Sequence, residues 1–389
     1  MSASTVRLSE ITSALESGGR PKGGAGDIVS GVLSLGGEHV SADGSLNLGP
    51  KRFVPFDYYE EMRRGRLKRG DILIVKDGAT TGKVGFVDSS IPLPAAVNEH
   101  VFRLEVNETI ADQRYVFYHL LSPLGNQQIL RDFRGATVGG ISQDFVEFVE
   151  LPLPDLSEQK RLGWLLEEAD RLRRTRRYTL ELSATVLSAA FLQLFGDNFH
   201  RGQFDQLGSL VKITGGGTPS RDRPGFFKGR IPWLTSKDMR GDYIWDTEEH
   251  ITEDAIKNSA TKLVPATSIL IVVKSKVLMH RLPVAIAKVP MCHGQDIKSI
   301  QCSKTMHYEF ARFVLKYHER RLLNIARGAN TEGLTLPMLE ELPVPRVDHN
   351  AQRKFAVIVE RHERLRGVQR EALRQADHLF QSLLERAFR

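Results

Sequence analysis

The amino-acid sequence predicts an α+β protein: two similar strand-rich domains separated by two long antiparallel helices, the halves related by an internal pseudo-two-fold repeat. Three observations predict it. Blocks of the first half recur in the second at nearly constant spacing. Each half reaches a stop punctuated by proline. After each stop comes a long stretch with apolar residues at helical or heptad spacing.

The repeat is read from paired blocks. "RGDILIVKDG" at 69–78 is matched by "PATSILIVVKS" at 265–275, which aligns Ile72-Leu73-Ile74-Val75 with Ile269-Leu270-Ile271-Val272. "VNEHVFRL" at 97–104 matches "GQDIKSIQ" at 294–301 in position and polarity, with little identity. "RGATVGGISQDFVEFVELPLP" at 134–154 matches "RGANTEGLTLPMLEELPVP" at 327–345. A basic, Gln-containing helix start follows each, "LSEQKRL" near 156 and "HNAQRKF" near 349. The expected order is therefore a first domain at 1–155, a helix at 156–198, a second domain at 199–347 and a second helix at 348–389.

Within the first domain, "GDILIVKDGATTGKVG" at 70–85 invites comparison with a phosphate-binding loop and fails it. Such a loop needs four residues between its first Gly and Gly-Lys, then Ser or Thr. Here only Ala79, Thr80 and Thr81 separate Gly78 from Gly82-Lys83, and Val84 follows. Ile72–Val75 reads as a buried strand and "KVGFVD" as a second one, so the stretch is a hairpin with a small basic tip.

The first helix has no proline from 157 to 195, and its apolar residues Leu162, Leu165, Ala169, Leu172, Leu180, Leu187 and Leu194 define a stripe. Ser157 and Glu158, after Pro154, are placed in its cap. The second helix shows Phe355, Ile358, Leu365, Ala372, Leu379 and Leu383. Helices of this length need a partner for the stripe, and the simplest is the other helix, antiparallel.

Composition excludes several classes. The 389 residues are 41% hydrophobic and 26% charged, as in globular proteins rather than disordered or membrane ones, and no unbroken apolar run reaches a membrane span. The N-terminal residues lack the order of a signal peptide, and with only Cys292 and Cys302 there is no disulfide framework, so a cytoplasmic location is expected. A net charge of +7 favours polyanionic partners. Catalytic constellations are missing. There is no Asp/Asn-Pro-Pro-aromatic tetrapeptide and no Gly-x-Gly-x-x-Gly turn. Asp155 and Glu158 in "PDLSEQK" are explained by a helix start, and His100, His119, His280, His293 and His307 show no ligand spacing.

Two domains each followed by a long helix, with "GDILIVKDGATTGKVGFV" and "LPLPDLSEQKRL" in the first half, resemble the DNA-specificity (S) subunit of type I restriction–modification enzymes. "ITGGGTPSRDRPGFFKGRIPWLTSKDM" at 213–239 looks like the opening of a target-recognition domain of that family, and "VLSLGGEHV" with "KRFVP" looks like its counterpart in the first half. One departure stands out: "ILIVVKSKVLMHRLPVAIAK" lacks the Gly-Ala-Thr-Thr-Gly loop. The resemblance implies a non-catalytic subunit that binds double-stranded DNA, with each domain reading one half of a bipartite site and the helices setting the spacing. It implies docking of two methyltransferase (M) subunits and recruitment of restriction/translocase (R) subunits. S-adenosylmethionine, ATP and Mg would sit on those partners, with no cofactor, metal or membrane for this chain.

Base reading needs paired donors and acceptors, with Lys and Arg on phosphates for register. The candidates are Lys76, Thr80, Thr81 and Lys83 at the hairpin tip, with Lys274 and Lys276 after the matching strand. Arg134 with Thr137 and Arg327 with Asn330 are expected in equivalent glycine-containing loops. Thr218, Ser220, Arg221 and Arg223 lie in the Gly-rich opening of the second domain, and Thr235, Ser236 and Lys237 follow Trp233. The alternative is a non-catalytic scaffold or interaction protein with incidental DNA binding.

Overall fold

The computed structural model describes residues 4–21, 28–135, 139–328 and 333–388. It divides into two compact units, Met1–Tyr178 with Arg370–Arg389, and Thr179–Gln369, so each long helix contributes to both.

In the first unit Ile72–Val75 is completely buried inside a four-stranded antiparallel sheet, ordered Thr12–Ser17, Val101–Val106, Ile72–Val75, Val84–Phe86. Four consecutive β-formers without a polar face need cover on both sides. Ile72 and Ile74 face a core with Leu104, Tyr115 and Phe145, while Leu73 faces another with Leu35, Val97 and Val101. The second core lies under a three-stranded sheet of Phe53–Val54, Val32–Leu35 and Ala95–Val97. The expected hairpin is present, and the chain after Val84–Phe86 enters another strand, not a helix.

The second unit repeats the plan. Its larger sheet runs Val211–Gly215, Ile297–Cys302, Ile269–Val272, Val284–Ala287, with Tyr243–Ile244 added in parallel at the edge. Its smaller sheet is His250–Ile251, Ile231–Leu234 and Cys292–His293. The registers coincide: Ile72 opposes Leu104 and Val75 opposes Val101, as Ile269 opposes Ile300 and Val272 opposes Ile297. Val97 is thereby level with His293 and His100 with Asp296, one residue away from the pairing expected from sequence. Those blocks share polarity but almost no identity, whereas their pairing to the identical Ile-Leu-Ile-Val strand fixes the register. Likewise "VLSL" at 32–35 matches "IPWL" at 231–234.

The long helices are Leu156–Arg201 and His349–Ala387. Their caps are Asp155 and Asp348 rather than Ser157. Asp155 Oδ1 accepts the Glu158 N–H at 2.9 Å, and Asp348 Oδ2 accepts the Ala351 N–H at 3.1 Å. One turn on, each helix carries a buried glutamine. Gln159 Oε1 accepts the Asp112 N–H at 2.9 Å and its Nε2 donates to Pro154 O at 2.8 Å. Gln352 Oε1 accepts the His307 N–H at 2.9 Å and its Nε2 donates to Val347 O at 2.9 Å. Asp112 and His307 are the N-caps of helices Gln113–Leu121 and Tyr308–Tyr317, so each glutamine binds a long helix to a helix of its own domain.

The buried stripe differs from expectation. In the first unit Leu166 and Ala169 share a core with Phe380 and Leu384, and Arg177 reaches Asp377 at 3.4 Å, so these segments run antiparallel. In the second, Leu187, Phe191 and Phe195 pack with Phe310, Phe313 and Phe355. Leu172, Leu194, Ile358, Leu365 and Leu379 are exposed. Ala169, Leu187 and Phe355 of the expected stripe are buried and Leu162 and Leu383 pack against a core, while the heptad pattern gives way to buried positions recurring every four residues (187, 191, 195 and 376, 380, 384) that follow the domain cores.

The first long helix also contains an 18-residue window of mean hydropathy 1.3, long and apolar enough by length and composition to cross a bilayer. An unbroken run was the wrong criterion, because serine, threonine, glutamine and a single Glu181 interrupt this one and still leave its mean hydropathy at 1.3. Its Leu187, Phe191 and Phe195 lie in the core of the second unit.

Gln159→Leu keeps the volume and strands a buried N–H. It is expected to lower unfolding free energy in urea by about 1–3 kcal/mol, whereas Gln193→Leu at an exposed site of the same helix leaves it nearly unchanged.

Candidate nucleic-acid interface

In the first unit, backbone bonds draw four loops together at the end of strand Ile72–Val75. The Lys76 N–H donates to His100 O at 2.9 Å, and Lys76 O accepts the Ile141 N–H at 2.7 Å. Asp77 bridges to Gly140, which exchanges two bonds with Arg134, at 2.9 and 3.0 Å. The Asn98 N–H donates to Leu35 O at 2.9 Å, bringing the turn at 36–39 alongside. Gly37 in that turn is packed against Val75 and Thr80, where a Cβ would come within 3.0 and 3.1 Å of their side chains.

The tip itself is a glycine-dependent turn. Gly78 and Gly82 have φ of +89° and +86°, which side chains on Cβ disfavour. Thr81 Oγ1 donates to Gly78 O at 2.7 Å, so its hydroxyl closes the turn. Lys76 is half-buried, 3.9 Å from Asp77, and Lys83 stands at the base of the turn with its carbonyl on the Val75 N–H. Arg134 is exposed and bonded to Asp132 Oδ1 at 2.7 Å. Ser142 and Arg134 hold the Asp132 carboxyl below its usual range, against the opposing effect of burial, so this ion pair orients Arg134. Thr137 lies outside the described residues.

The second unit builds the same junction. The Val273 N–H donates to Asp296 O at 2.9 Å and Val273 O accepts the Leu334 N–H at 2.8 Å, while the Gly294 N–H donates to Leu234 O at 2.9 Å. Lys274 and Lys276 line a hollow with Ser275, Met279, Ala326 and Gly333. Thr235 N and Oγ1 both donate to Asp238 Oδ2, at 2.8 and 2.7 Å, closing the turn that also holds Ser236 and exposed Lys237. His39 does the same for the first unit, its Nδ1 accepting the Gly36 N–H at 2.9 Å.

The Gly-rich opening is tied to the second junction by the Gly217 N–H on His293 O at 3.0 Å, and its arginines have partners of their own. Arg221 forms a two-pronged ion pair with Glu249, which raises its pKa, and lies over Phe227 at 4.1 Å and Trp233 at 5.4 Å. It pins its own loop. Arg223 lies over Phe226 at 5.4 Å, and Thr218 and Ser220 are exposed beside it. Arg327 is not in a glycine loop but in the last turn of helix Glu319–Gly328, because buried Leu322 and Leu323 extend the helical pattern that far. Asn330 lies outside the described residues.

Sequence reasoning missed Asp77, Asn98 and His100, and with them Asp296. A repeat alignment shifted by one residue would have paired His100 with Asp296. Among the described residues no group of three His, Cys, Asp or Glu side chains could hold a metal ion, and Cys292 and Cys302 are free thiols.

Comparison with known proteins agrees with this architecture. Residues 60–182 and 203–374, well over half of the chain, match the family described as the type I restriction modification DNA specificity domain. The chain is 28% identical over 331 residues to the type I restriction enzyme EcoR124I/EcoR124II specificity subunit of Escherichia coli, covering 82% of this chain and 78% of that one. It is 30% identical over 158 residues to the MjaIX specificity subunit of Methanocaldococcus jannaschii, covering 39% and 35%. The fold resembles the S subunit of a type I restriction–modification system from M. genitalium, with a TM-score of 0.64, 15% identity, and coverage of 99% and 96%. A chain solved in a study of type I R-M complex assembly gives a TM-score of 0.57 at 18% identity, covering 100% and 98%. A DNA-binding protein that reads sequence rather than reacting with it is the class these features define. The chain belongs to the type I restriction–modification DNA-specificity family, and is a non-catalytic specificity subunit.

His293 supplies a pH test of the second junction. It is wholly buried just before the turn at 294–296, its Nε2 unpartnered, and burial lowers its pKa from the ordinary 6.5. The folded protein therefore binds fewer protons, and this contribution is complete above pH 6.5 and lost as the pH falls below it toward the depressed value. Val97 occupies the level position in the first unit. His293→Val is accordingly expected to flatten the decline in unfolding free energy between pH 7 and 5, measured by urea titration.

Proposed function

We propose that this chain reads a bipartite, asymmetric double-stranded DNA site, with 1–155 and 199–347 as its two target-recognition domains and the long helices as the spacing element. The observation that carries the reading is the junction built twice on one backbone plan with different side chains: Gly36, Gly37 and Glu38 where the other unit has Thr235, Ser236 and Lys237. One scaffold with two side-chain sets suits two different half-sites. Lys76, Thr80, Arg134, Lys274, Lys276 and Lys237 are its foremost contacts, while Arg221 and Thr81 first serve their own loops.

The same helices would dock two methyltransferase subunits. Exposed apolar residues recur at matching positions, Trp164 with Val357, Leu172 with Leu365, and Val186 with Leu379. In the first unit, Leu165, Leu172, Leu379 and Leu383 line an open groove. A repeated apolar surface suits two copies of one partner. S-adenosylmethionine, ATP and Mg belong to the methyltransferase and restriction/translocase subunits, in the cytoplasm where the DNA lies. A scaffold with incidental DNA affinity would bind cognate and random duplexes alike across a salt series.

Two measurements check this. Leu172→Glu and Leu365→Glu, both at exposed positions, are each expected to remove one bound methyltransferase subunit by native mass spectrometry, and the double variant both. Four residues inserted near Thr175 add about 6 Å. They are expected to lengthen the methylated spacer by one or two base pairs at about 3.4 Å each, with both half-sites intact. An unchanged spacer at full activity would mean that the helices do not set the distance.

A further inference from the structure

The residue that leaves the central strand stands at the same framework point in each unit, and the one after it carries opposite charge in the two. Lys76 and Val273 are fixed by the same pair of backbone bonds, to His100 and Ile141 in one case and to Asp296 and Leu334 in the other. The next residue is Asp77 in the first unit and Lys274 in the second. Both lie among the loops drawn to the junction, Asp77 on Gly140 and Lys274 beside Gly333.

Their surroundings prepare them for different partners. Asp77 Oδ1 is bonded to His100 Nδ1, which fixes the carboxylate's direction. Its Oδ2 lies 3.9 Å from the Lys76 ammonium, beyond hydrogen-bond distance, and keeps lone pairs for an incoming donor. Lys274 is exposed and makes no ion pair among the described residues, so its ammonium is available as a donor. In the major groove a carboxylate accepts from the N4 amino group of cytosine, and an ammonium donates to O6 and N7 of guanine.

Resting on the bipartite reading, we infer that Asp77 and Lys274 are specificity-determining residues at equivalent points of the two faces, Asp77 reading cytosine in one half-site and Lys274 guanine in the other. A carboxylate on a DNA-facing surface repels phosphate, so its retention beside a histidine makes better sense at a base edge than on the backbone. Sign alone then distinguishes the half-sites at this point.

The test assembles wild type, Asp77→Lys and Lys274→Asp with the methyltransferase subunit and reads the methylated motif by sequencing, with competition binding on single-base-pair variants of the site. Asp77→Lys is expected to lower discrimination at one cytosine-bearing pair of one half-site by about tenfold or more, leaving the other half-site unchanged. Lys274→Asp should do so at one guanine-bearing pair of the opposite half-site. Unchanged motifs, a uniform loss of affinity over all duplexes, or changes in both half-sites from one substitution would each overturn the inference. A wild-type complex with no two-part motif would instead overturn the bipartite reading itself. Either variant decides its own position if the other fails to assemble.

Discussion

Each long helix is tied to its own domain by one buried glutamine. Gln159 and Gln352 stand in the first turn of a long helix and reach the N-cap of the domain helix beneath it. The amide can do this because it offers an acceptor and two donors from one planar group. A side chain with only one kind of polar atom would leave either the cap N–H or the carbonyls of 110 and 154 or 305 and 347 unpaired. With the first turn fixed, helical periodicity determines which residues meet the domain, and Leu166 and Val359 arrive in their cores together. Small errors at that first turn would propagate along helices of 46 and 39 residues.

The strand junction follows a similar logic with main chain in place of side chain. Backbone bonds from 76 and 273 hold loops far apart in sequence, and they do so whatever side chains those loops carry. His39 and Asp238 illustrate the freedom. They differ in size and charge, yet each accepts the same backbone N–H and closes the same turn. Stability is thereby assigned to the backbone and to a few buried groups, and the outward positions are left to vary without unfolding the domain.

This division explains what the sequence made legible. The strands, the hairpin and both long helices were readable because Ile-Leu-Ile-Val runs, proline stops and helical periodicity are local signals. The seam was read in part because Phe191, Phe195 and Phe380 meet the other long helix and the domain cores at once, a tertiary fact. The interface was half legible. Lys76, Thr80, Arg134 and Lys274 were singled out because basic and hydroxyl residues beside glycine announce a loop, and the structure places their loops at the strand junctions. Asp77 and His100 were passed over because a lone acid beside a histidine announces nothing until their backbones are seen to meet. Arg221 has intramolecular partners, Glu249 and Trp233, that lie too far along the chain to be suspected from sequence.

Duplication sharpens the point. Two copies of one domain begin with the same reading face and would recognise a symmetric site. Asymmetry requires changes confined to outward positions, because a change at Gln159 or at the junction backbone would damage the fold before it altered recognition. The exposed apolar positions behave differently again, with Leu172 and Leu365 keeping the same residue at matching places. A surface that meets two copies of one partner has reason to stay alike, and a surface that meets two different half-sites has reason to diverge. On the proposed reading, Leu172 and Leu365 belong to the first kind of surface, and Asp77 and Lys274 to the second.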